Sequence, residues 1–456
     1  MSLLAKERES LNDFMPFVER GHICNVVGLV MEAEGLKAPV GALCKVSSQQ
    51  GFIKGEAEVV GFKEGRVLLL SLDMRYGLEI NDEVELLTKN QDVTVGIELQ
   101  GRVLDARGRP IDDKGDLKSA KRWPLYGKAS HPLNRPRIDK VLSTGVRAID
   151  GLLTCGRGQR LGLFAGSGVG KSVLLGMMAR FCEAEVIVIG LIGERGREVR
   201  EFIERDLGEE GLKRSVVVVA TGDEPACLRV KGAFTATAIA EYFREQGKDV
   251  MLLIDSVSRV AYAQREIGLS TGEPPATRGY PPSVFSLMPQ LMERSGLSDK
   301  GSMTAFYTVL VEGDDLNEPV SDVARATLDG HISLSRRLAN QGHYPAISIL
   351  ESVSRVMTEV TDKEHQQTSQ KIRDLLAAFE DSEDLINIGA YVQGSNPRID
   401  ESLFYRPNIV NFLRQYQDDK SSFEDSCQQM KKTITPPEID PELATQGNVL
   451  EEEAQS

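Results

Sequence analysis

The chain has 456 residues, of which 41% are hydrophobic and 27% are charged, and its formal net charge at pH 7 is −14. These fractions exclude collagen-like, disordered and membrane classes and leave room for two or three folded domains. The negative charge disfavours nucleic acid as a partner, because affinity for a polyanion comes from lysine and arginine.

The cysteine pattern and the N-terminus bear on the cellular compartment. The six cysteines are scattered without a CxxC pair, which indicates reduced thiols and neither a disulfide framework nor a zinc site. The N-terminus carries charges where a signal peptide needs an apolar stretch, and no apolar run approaches the length of a membrane span. We therefore expect a cytoplasmic protein that is peripheral to a membrane at most.

Two elements are predicted before the main domain. Apolar residues recur at helical spacing over 3–18, which predicts a short amphipathic helix within 1–20. Such a helix could cover its own domain or bind a partner. Over 21–92, short Val/Leu-rich runs alternate with turn residues, and this pattern predicts a small β-barrel.

The rest of the chain predicts an α/β domain followed by helices. Apolar runs alternate with helical stretches over 93–358, as in domains built on a parallel sheet. Residues 359–435 predict a C-terminal helical domain, in which 362–379 and 404–430 are mostly helical in pattern. The segment 436–456 is polar, acidic and without periodicity, so we expect it to be disordered.

The most informative motif is QRLGLFAGSGVGKS, at Gln159–Ser172. It is a phosphate-binding loop in which Ala165 replaces the usual first glycine. Its glycines let backbone N–H groups surround an anion at a helix N-terminus, while Lys171 reaches the β- and γ-phosphates and Ser172 offers its hydroxyl to Mg²⁺. The residues predicted to contact the nucleotide here are Ala165, Gly166, Ser167, Gly168, Val169, Gly170, Lys171, Ser172 and Val173.

Two carboxylates follow later apolar runs of the same domain. Glu194 comes just after the run Val186–Ile192, and Asp255 ends the run that begins at Val250. Parallel strands end at one edge of a sheet, so we expect both carboxylates to lie near Lys171. A single strand-end carboxylate is usually a solvated residue or a helix cap, but three groups behind a phosphate loop favour a site. We therefore predict an ATPase in which Glu194 polarises the attacking water and Asp255 is associated with Mg²⁺.

Five segments carry a family resemblance: GLLTCGRGQRLGLFAGSGVGKSVLLGMMAR, GLIGERGREVREFIE, GEPPATRGYPPSVF, GSMTAFYTVLVEGDD and LDGHISLSRRLANQGHYPAI. They resemble the flagellar type III protein export ATPases, a family similar to the catalytic subunit of rotary ATP synthase. The resemblance implies an N-terminal β-barrel, a RecA-like P-loop domain and a C-terminal helical domain. It also implies a homohexameric ring that hydrolyses ATP to energise export of flagellar proteins, at the cytoplasmic face of the export apparatus.

The resemblance also implies roles for individual residues. Lys171 is the phosphate-loop lysine, Glu194 in GERGRE is the catalytic carboxylate, Arg195 is its phosphate-side neighbour, and Asp255 is the magnesium-associated aspartate. Tyr344 in GHYPAI corresponds to the tyrosine that packs against adenine.

One further residue and several partners come from the same resemblance. Arg355 in SVSRVM occupies the position of an arginine finger that reaches into the neighbouring subunit's site, although an intrachain ion pair would explain an arginine equally well from its sequence alone. The Pro/Gly-rich loop Gly272–Pro282 is implied to face a central stalk protein or export cargo. The N-terminal helix is implied to bind a regulatory protein, and the export gate and chaperones are further implied partners.

Three alternatives share the core motifs. They are the ATPase of a virulence-type secretion system, a rotary ATP synthase catalytic subunit, and a hexameric RNA-translocating ATPase. The last is disfavoured, because residues 21–92 contain Phe52, Phe62 and Tyr76 without an interleaved basic cluster for stacking nucleotides. We predict hydrolysis rather than synthesis of ATP.

Overall fold

A computed structural model describes residues 18–73, 77–117, 121–129, 131, 133, 135–311 and 318–436. The helix predicted within 1–20 lies outside the described residues except for its last three positions, and Arg20 already begins the first strand. The acidic tail predicted over 436–456 lies outside them from residue 437 onward.

The first domain is a closed barrel with the strand order β1-β2-β5-β4-β3-β6. Its strands are β1 (Arg20–Val27), β2 (Val30–Glu34), β3 (Leu43–Ser47), β4 (Ile53–Lys63), β5 (Arg66–Ser71) and β6 (Glu83–Thr88). All neighbouring strands are antiparallel. Alternate residues, such as Ile23, Met31 and Leu69, fill the buried interior. The predicted β-barrel is confirmed.

The second domain is built on a sheet with the strand order β17-β16-β10-β15-β13-β11-β12-β8, and β14 pairs with β15. These strands are β8 (Arg102–Asp105), β10 (Arg160–Ala165), β11 (Val186–Ile192), β12 (Ser215–Ala220), β13 (Asp249–Asp255), β14 (Gly296–Leu297), β15 (Ser302–Leu310), β16 (Gly330–Leu334) and β17 (Ile347–Ser354). Strands β16 to β8 run parallel, whereas β17 is antiparallel to β16. The predicted parallel sheet is confirmed. Residues 92–124 contribute to two sheets. Strand β8 belongs to the main sheet, whereas β7 (Asp92–Val95) and β9 (Lys121–Pro124) form a separate antiparallel pair.

Helices cover both faces of this sheet. They are α1 (Arg147–Leu152), α2 (Lys171–Phe181), α3 (Gly196–Glu201), α4 (Gly208–Lys213), α5 (Ala226–Glu245), α6 (Val257–Ser270), α7 (Pro282–Met292), α8 (Pro319–Thr327), α9 (Arg336–Asn340) and α10 (Met357–Val360), with a π-helical turn at Phe202–Leu207 and 3₁₀ turns at Ile97–Leu99 and Thr277–Gly279. Successive residues of β11 belong to opposite cores: Val188 packs on the α5 side, and Ile187 and Ile189 on the α2 side. This burial on both faces explains why the strands read as continuous apolar runs.

The C-terminal helices are α11 (Lys363–Asn387), α12 (Pro397–Leu413) and α13 (Phe423–Thr433). They pack on the α2 side of the sheet. The stretch 404–430, whose pattern is mostly helical, is divided between α12 and α13, because the chain leaves helical geometry after Leu413 and Ser422 caps a new helix by accepting a hydrogen bond from the backbone N–H of Asp425. Helix α11 also continues beyond its predicted end at residue 379. Within the described residues, no helix has the length and apolar character needed to span a bilayer.

Candidate active site

The phosphate loop connects the end of β10 to the start of α2. Gly168 and Gly170 have positive φ angles of 78° and 88°, a conformation that favours glycine. A Cβ atom at Gly170 would lie 3.3 Å from ring atoms of Tyr344, so this glycine also permits a close approach. Arg336 supports the loop by donating from Nη1 to the Ser167 carbonyl oxygen at 3.2 Å. The loop therefore presents the N-terminus of α2 as a site for an anion.

Three charged side chains meet beside this loop. Nζ of Lys171 lies 2.5 Å from Oδ1 of Asp255 and 3.4 Å from Oε1 of Glu194. Only 13%, 11% and 5% of the Lys171, Glu194 and Asp255 side chains are exposed. The carboxylates reach this position because β11 and β13 are parallel neighbours whose ends lie in register. The structure thus brings together the three groups that the sequence places after successive strands.

The burial of this cluster changes its acid–base properties. Burial raises the pKa of Glu194 to about 7; the positive charge of Lys171 opposes this shift and the negative charge of Asp255 adds to it. Burial acts to lower the pKa of Lys171, but the two carboxylates outweigh it and the net direction is upward. Lys171 therefore stays protonated near neutral pH, while Glu194 lies in the range suited to a general base.

Oxygen donors for a cation lie at the same edge. The Ser172 side chain is exposed at the start of α2, and the carboxylate of Asp255 ends β13. No cluster of three or more His, Cys, Asp or Glu side chains suited to a metal occurs among the described residues. Mg²⁺ at phosphate sites typically uses one or two protein oxygens together with phosphate oxygens and water. Ser172 and Asp255 fit that donor set.

Sequence reasoning missed Thr308, which lies inside β15. Its Oγ1 donates to Oδ1 of Asp255 at 2.7 Å, the same oxygen that Lys171 contacts. This bond fixes the orientation of the carboxylate. A threonine inside a buried strand carries no motif, and only the β13–β15 pairing brings it to Asp255.

A cavity of about 1130 Å³ adjoins the phosphate loop. Its lining includes Gly168, Gly170, Tyr344 and, from the C-terminal helical domain, Phe412 and Tyr416. The rings of Tyr344 and Tyr416 are both accessible, with Tyr416 83% exposed. The sequence singled out Tyr344 but not Tyr416, because residue 416 lies in a loop between two helices and only docking of those helices brings it to the phosphate loop.

Two predicted arginines lie outside the buried cluster. Arg195 is exposed, and its Nη1 lies 3.5 Å from Oε1 of Glu198 on the next turn. Arg355 is exposed directly after β17, and its backbone N–H donates to the Asp329 carbonyl oxygen at 3.0 Å. In the described part of the chain its guanidinium forms no ion pair.

The sheet places Arg355 far from its own phosphate loop. Ser354 pairs with Gly330 at the start of β16, whereas the phosphate loop follows the end of β10. Strand β10 spans Arg160–Ala165, and at about 3.3 Å per residue the two edges are about 17 Å apart. Arg355 and Lys171 of one chain therefore lie at opposite edges of the sheet.

The fold and site together define a P-loop nucleotide-binding protein with a RecA-like sheet, an N-terminal barrel and C-terminal helices. Residues 145–354 match the ATP synthase alpha/beta family, nucleotide-binding domain, and residues 361–432 match the T3SS EscN ATPase C-terminal domain. The chain belongs to the family of flagellum-specific ATP synthases and type 3 secretion system ATPases.

Individual relatives cover almost the whole chain. A flagellum-specific ATP synthase of Bacillus subtilis is 51% identical, over 89% of this chain and 93% of the relative. A type 3 secretion system ATPase of Sinorhizobium fredii is 47% identical, over 91% of this chain and 92% of the relative. The assembled ATPase EscN of enteropathogenic E. coli superimposes with a TM-score of 0.86 at 44% identity, covering 91% of this chain and all of that one. A complex of EscN with its central stalk EscO gives a TM-score of 0.84.

Proposed function

We propose that this chain hydrolyses ATP to energise the export of flagellar proteins through a type III secretion apparatus. The observation that carries the proposal is the buried cluster of Lys171, Glu194 and Asp255 beside the phosphate loop. The flagellar function is supported by relatives that are named flagellum-specific and are 51% identical to this chain.

The geometry suggests a division of work within the site. The γ-phosphate binds at the N-terminus of α2, where Lys171 exchanges its carboxylate partners for phosphate oxygens and neutralises charge on the transferring group. Glu194, released from Lys171, orients and polarises the attacking water. Ser172 and Asp255 would hold Mg²⁺, which neutralises phosphate charge when bound. Arg195 follows Glu194 directly, and we assign its exposed guanidinium to the phosphate side of the site.

The base end of the nucleotide is proposed to occupy the cavity between Tyr344 and Tyr416. An aromatic ring on each side suits a flat purine, since stacking and burial of apolar surface favour its binding. The ring of Tyr344 approaches Gly170 of the phosphate loop, so a nucleotide whose phosphates lie on the loop has its base directed toward this tyrosine.

The position of Arg355 supports a ring of subunits. About 17 Å of sheet separates it from its own phosphate loop, a span that an arginine side chain does not bridge. An exposed guanidinium that forms no ion pair with any residue the structure describes is suited to reach a neighbouring subunit's phosphates. We therefore assign Arg355 as an arginine finger acting in trans in a hexamer, in keeping with the assembled form of EscN.

The remaining partners follow from the same assembly. The loop that starts at Gly272 exposes residues 274–278 and ends where Pro282 begins α7. We assign this loop to a central stalk protein at the ring opening, as the EscN–EscO complex suggests. A regulatory protein at the N-terminal helix, the export gate, chaperones and cargo complete the proposed partners, at the cytoplasmic face of the apparatus.

The proposal is tested in two steps. Purified protein should release phosphate from ATP only with Mg²⁺, Glu194→Gln should abolish this activity, and Glu204→Gln, which changes an exposed carboxylate, should retain it. In a Bacillus subtilis strain that lacks its flagellum-specific ATP synthase, the wild-type chain should restore secretion of flagellar proteins and Glu194→Gln should not. Hydrolysis without restored secretion, in a strain where the chain is produced and folded, would contradict the flagellar assignment and leave the ATPase assignment intact.

A further inference from the structure

The segment 414–422 joins α12 to α13, and its first part, 414–419, lies at the base end of the cavity beside the phosphate loop. Two adjacent side chains there differ sharply, since Gln415 is only 5% exposed and Tyr416 is 83% exposed. A buried amide next to an exposed aromatic ring requires an explanation, because a buried polar group costs free energy unless it is hydrogen-bonded.

Gln415 is hydrogen-bonded at its amide and its backbone N–H. Oε1 accepts from the backbone N–H of Arg147 at 2.8 Å, and Nε2 donates to the carbonyl oxygens of Gly145 at 2.9 Å and Asp419 at 2.7 Å. The backbone N–H of Gln415 donates to the Tyr344 carbonyl oxygen at 3.0 Å. One residue therefore joins the segment before α1, the tyrosine that lies over the phosphate loop, and its own loop.

Two further hydrogen bonds hold the backbone of Tyr416. The backbone N–H of Asp419 donates to the Tyr416 carbonyl oxygen at 3.0 Å, and Oδ2 of Asp419 accepts from the Tyr416 N–H at 3.3 Å. These bonds close a turn whose last carbonyl is the acceptor of the Gln415 amide. Gln415 thus contacts Tyr344 through its backbone N–H and the turn that contains Tyr416 through its amide.

We propose that Gln415 is a positioning residue for the base of the bound nucleotide. Acting through Tyr344 and Tyr416, it sets the spacing of the two rings between which the base binds. The inference rests on the proposed function, because it takes the cavity to be the ATP site. The site then has two ends. Lys171, Glu194 and Asp255 form the phosphate end, and the shape of the base end depends on Gln415.

Independent contacts hold the loop to the nucleotide-binding domain when the Gln415 amide is removed. Arg180, in the last turn of α2, lies 3.1 Å from Oδ1 of Asp418 and donates to the Gln417 carbonyl oxygen at 2.6 Å. The guanidinium of Arg147 donates to the carbonyl oxygens of Phe412, at 3.1 Å, and Arg414. Loss of the amide should therefore disturb the tyrosines without detaching the C-terminal helices.

The test compares ligands with and without a base. Gln415→Met preserves length and removes all three side-chain hydrogen bonds. We expect it to raise KM for ATP and the inhibition constant of ADP about tenfold each, the factor that corresponds to a net loss of about 1.4 kcal/mol. We expect kcat to change less than about twofold, because weakened uniform binding raises KM alone. Inorganic tripolyphosphate, which has no base, should inhibit the variant as strongly as the wild type.

Two further variants keep the result interpretable. Gln428→Met makes the same change at an exposed position of α13 and should leave all constants unaltered. Gln415→Glu retains the acceptor for Arg147 but opposes two carbonyl oxygens with a carboxylate, and it should show the same selective loss. It is the decisive variant if Gln415→Met does not fold.

Several results would overturn the inference. One is an unchanged KM for ATP in a folded Gln415 variant. Another is an equal loss of inhibition by ADP and by tripolyphosphate, because that result means that Gln415 supports the whole domain and not the base site. Failure of both Gln415 variants to fold would also overturn it. Absence of ATP hydrolysis in the wild-type protein would instead refute the proposed function.

Discussion

Nζ of Lys171 and Oδ1 of Asp255 are 2.5 Å apart, and Glu194 completes a buried cluster of one cation and two carboxylates. Lys171 therefore has a task besides its proposed binding of phosphate, because it compensates two carboxylates that are shielded from water. A buried carboxylate that loses its partner leaves an uncompensated charge. The proposed binding of phosphate at Lys171 would accordingly be linked to release of Glu194.

Replacing Lys171 with alanine should remove hydrolysis and weaken the fold. We expect the rate of phosphate release to fall at least about a hundredfold, as for loss of other positioned groups that stabilise transition-state charge. Thermal unfolding should also begin at a lower temperature, because Glu194 and Asp255 then repel each other. The exposed residue Lys213 offers a control, since Lys213→Ala should change neither quantity. Retention of more than about a tenth of the activity would contradict the role of Lys171.

Glu194→Gln should separate binding from chemistry. Glutamine keeps the size of the side chain but does not accept a proton, so we expect kcat to fall about 10²–10⁴-fold with ATP still bound. Equilibrium binding of ATP and single-turnover hydrolysis measure the two effects separately. If binding is lost together with turnover, Glu194 has a structural role instead.

The raised pKa of Glu194 predicts a pH dependence. The base must be ionised, so kcat/KM should rise with pH and level off above an apparent pKa near 7. In the folded protein this pKa lies above its ordinary value of 4.5, so protonation of Glu194 stabilises the fold at low pH and that contribution is lost as the pH rises through about 7. A wild-type profile in which kcat/KM does not rise from pH 6 toward pH 8 would contradict the assignment.

A buried ion pair should hold the barrel on the nucleotide-binding domain. Nζ of Lys231 in α5 lies 2.8 Å from Oε2 of Glu58 in β4, and only 5% and 11% of these side chains are exposed. Lys231→Met should lower the midpoint of thermal unfolding by several degrees, because removing one partner of a buried pair costs about 3–5 kcal/mol. Adding Glu58→Met should restore part of the loss. Lys248→Met, which breaks an exposed pair with Glu185, should cost less than about 1 kcal/mol.

The sequence was sufficient to predict that Lys171, Glu194 and Asp255 lie together. Three apolar runs of strand length end just before the phosphate loop that contains Lys171, just before Glu194, and at Asp255. In a parallel sheet the ends of such strands lie at one edge. The positions of these three residues follow from the local apolar pattern and from the rule that parallel strands end at one edge of a sheet.

The base end could not be predicted in the same way. Gln415 and Tyr416 lie in a break between helices, in a stretch whose pattern is mostly helical and does not locate the break. Their relation to Tyr344 depends on how the C-terminal helices dock, and that docking is set by contacts among residues that are distant in sequence. Thr308 was missed for a related reason, since its partner comes from a neighbouring strand.

The central claim is that one hydrolytic site is completed by two subunits, with Glu194 from one chain and Arg355 from the next. Loss of an arginine finger typically costs about 10³–10⁵ in rate, so Arg355→Ala alone should be nearly inactive. Low activity does not establish geometry, because an arginine acting within its own chain would give the same result. A mixture of Arg355→Ala and Glu194→Gln subunits separates the two arrangements, since mixed interfaces include some in which both residues are intact.

The decisive measurement is the ATPase rate of that mixture against total protein concentration, with crosslinking and mass analysis to verify that mixed rings form. Assembly is concentration-dependent, so recovered activity should rise with concentration under ring-forming conditions. We predict that the mixture greatly exceeds the average of its two components. Mixed rings that are no more active than that average would contradict the two-subunit site.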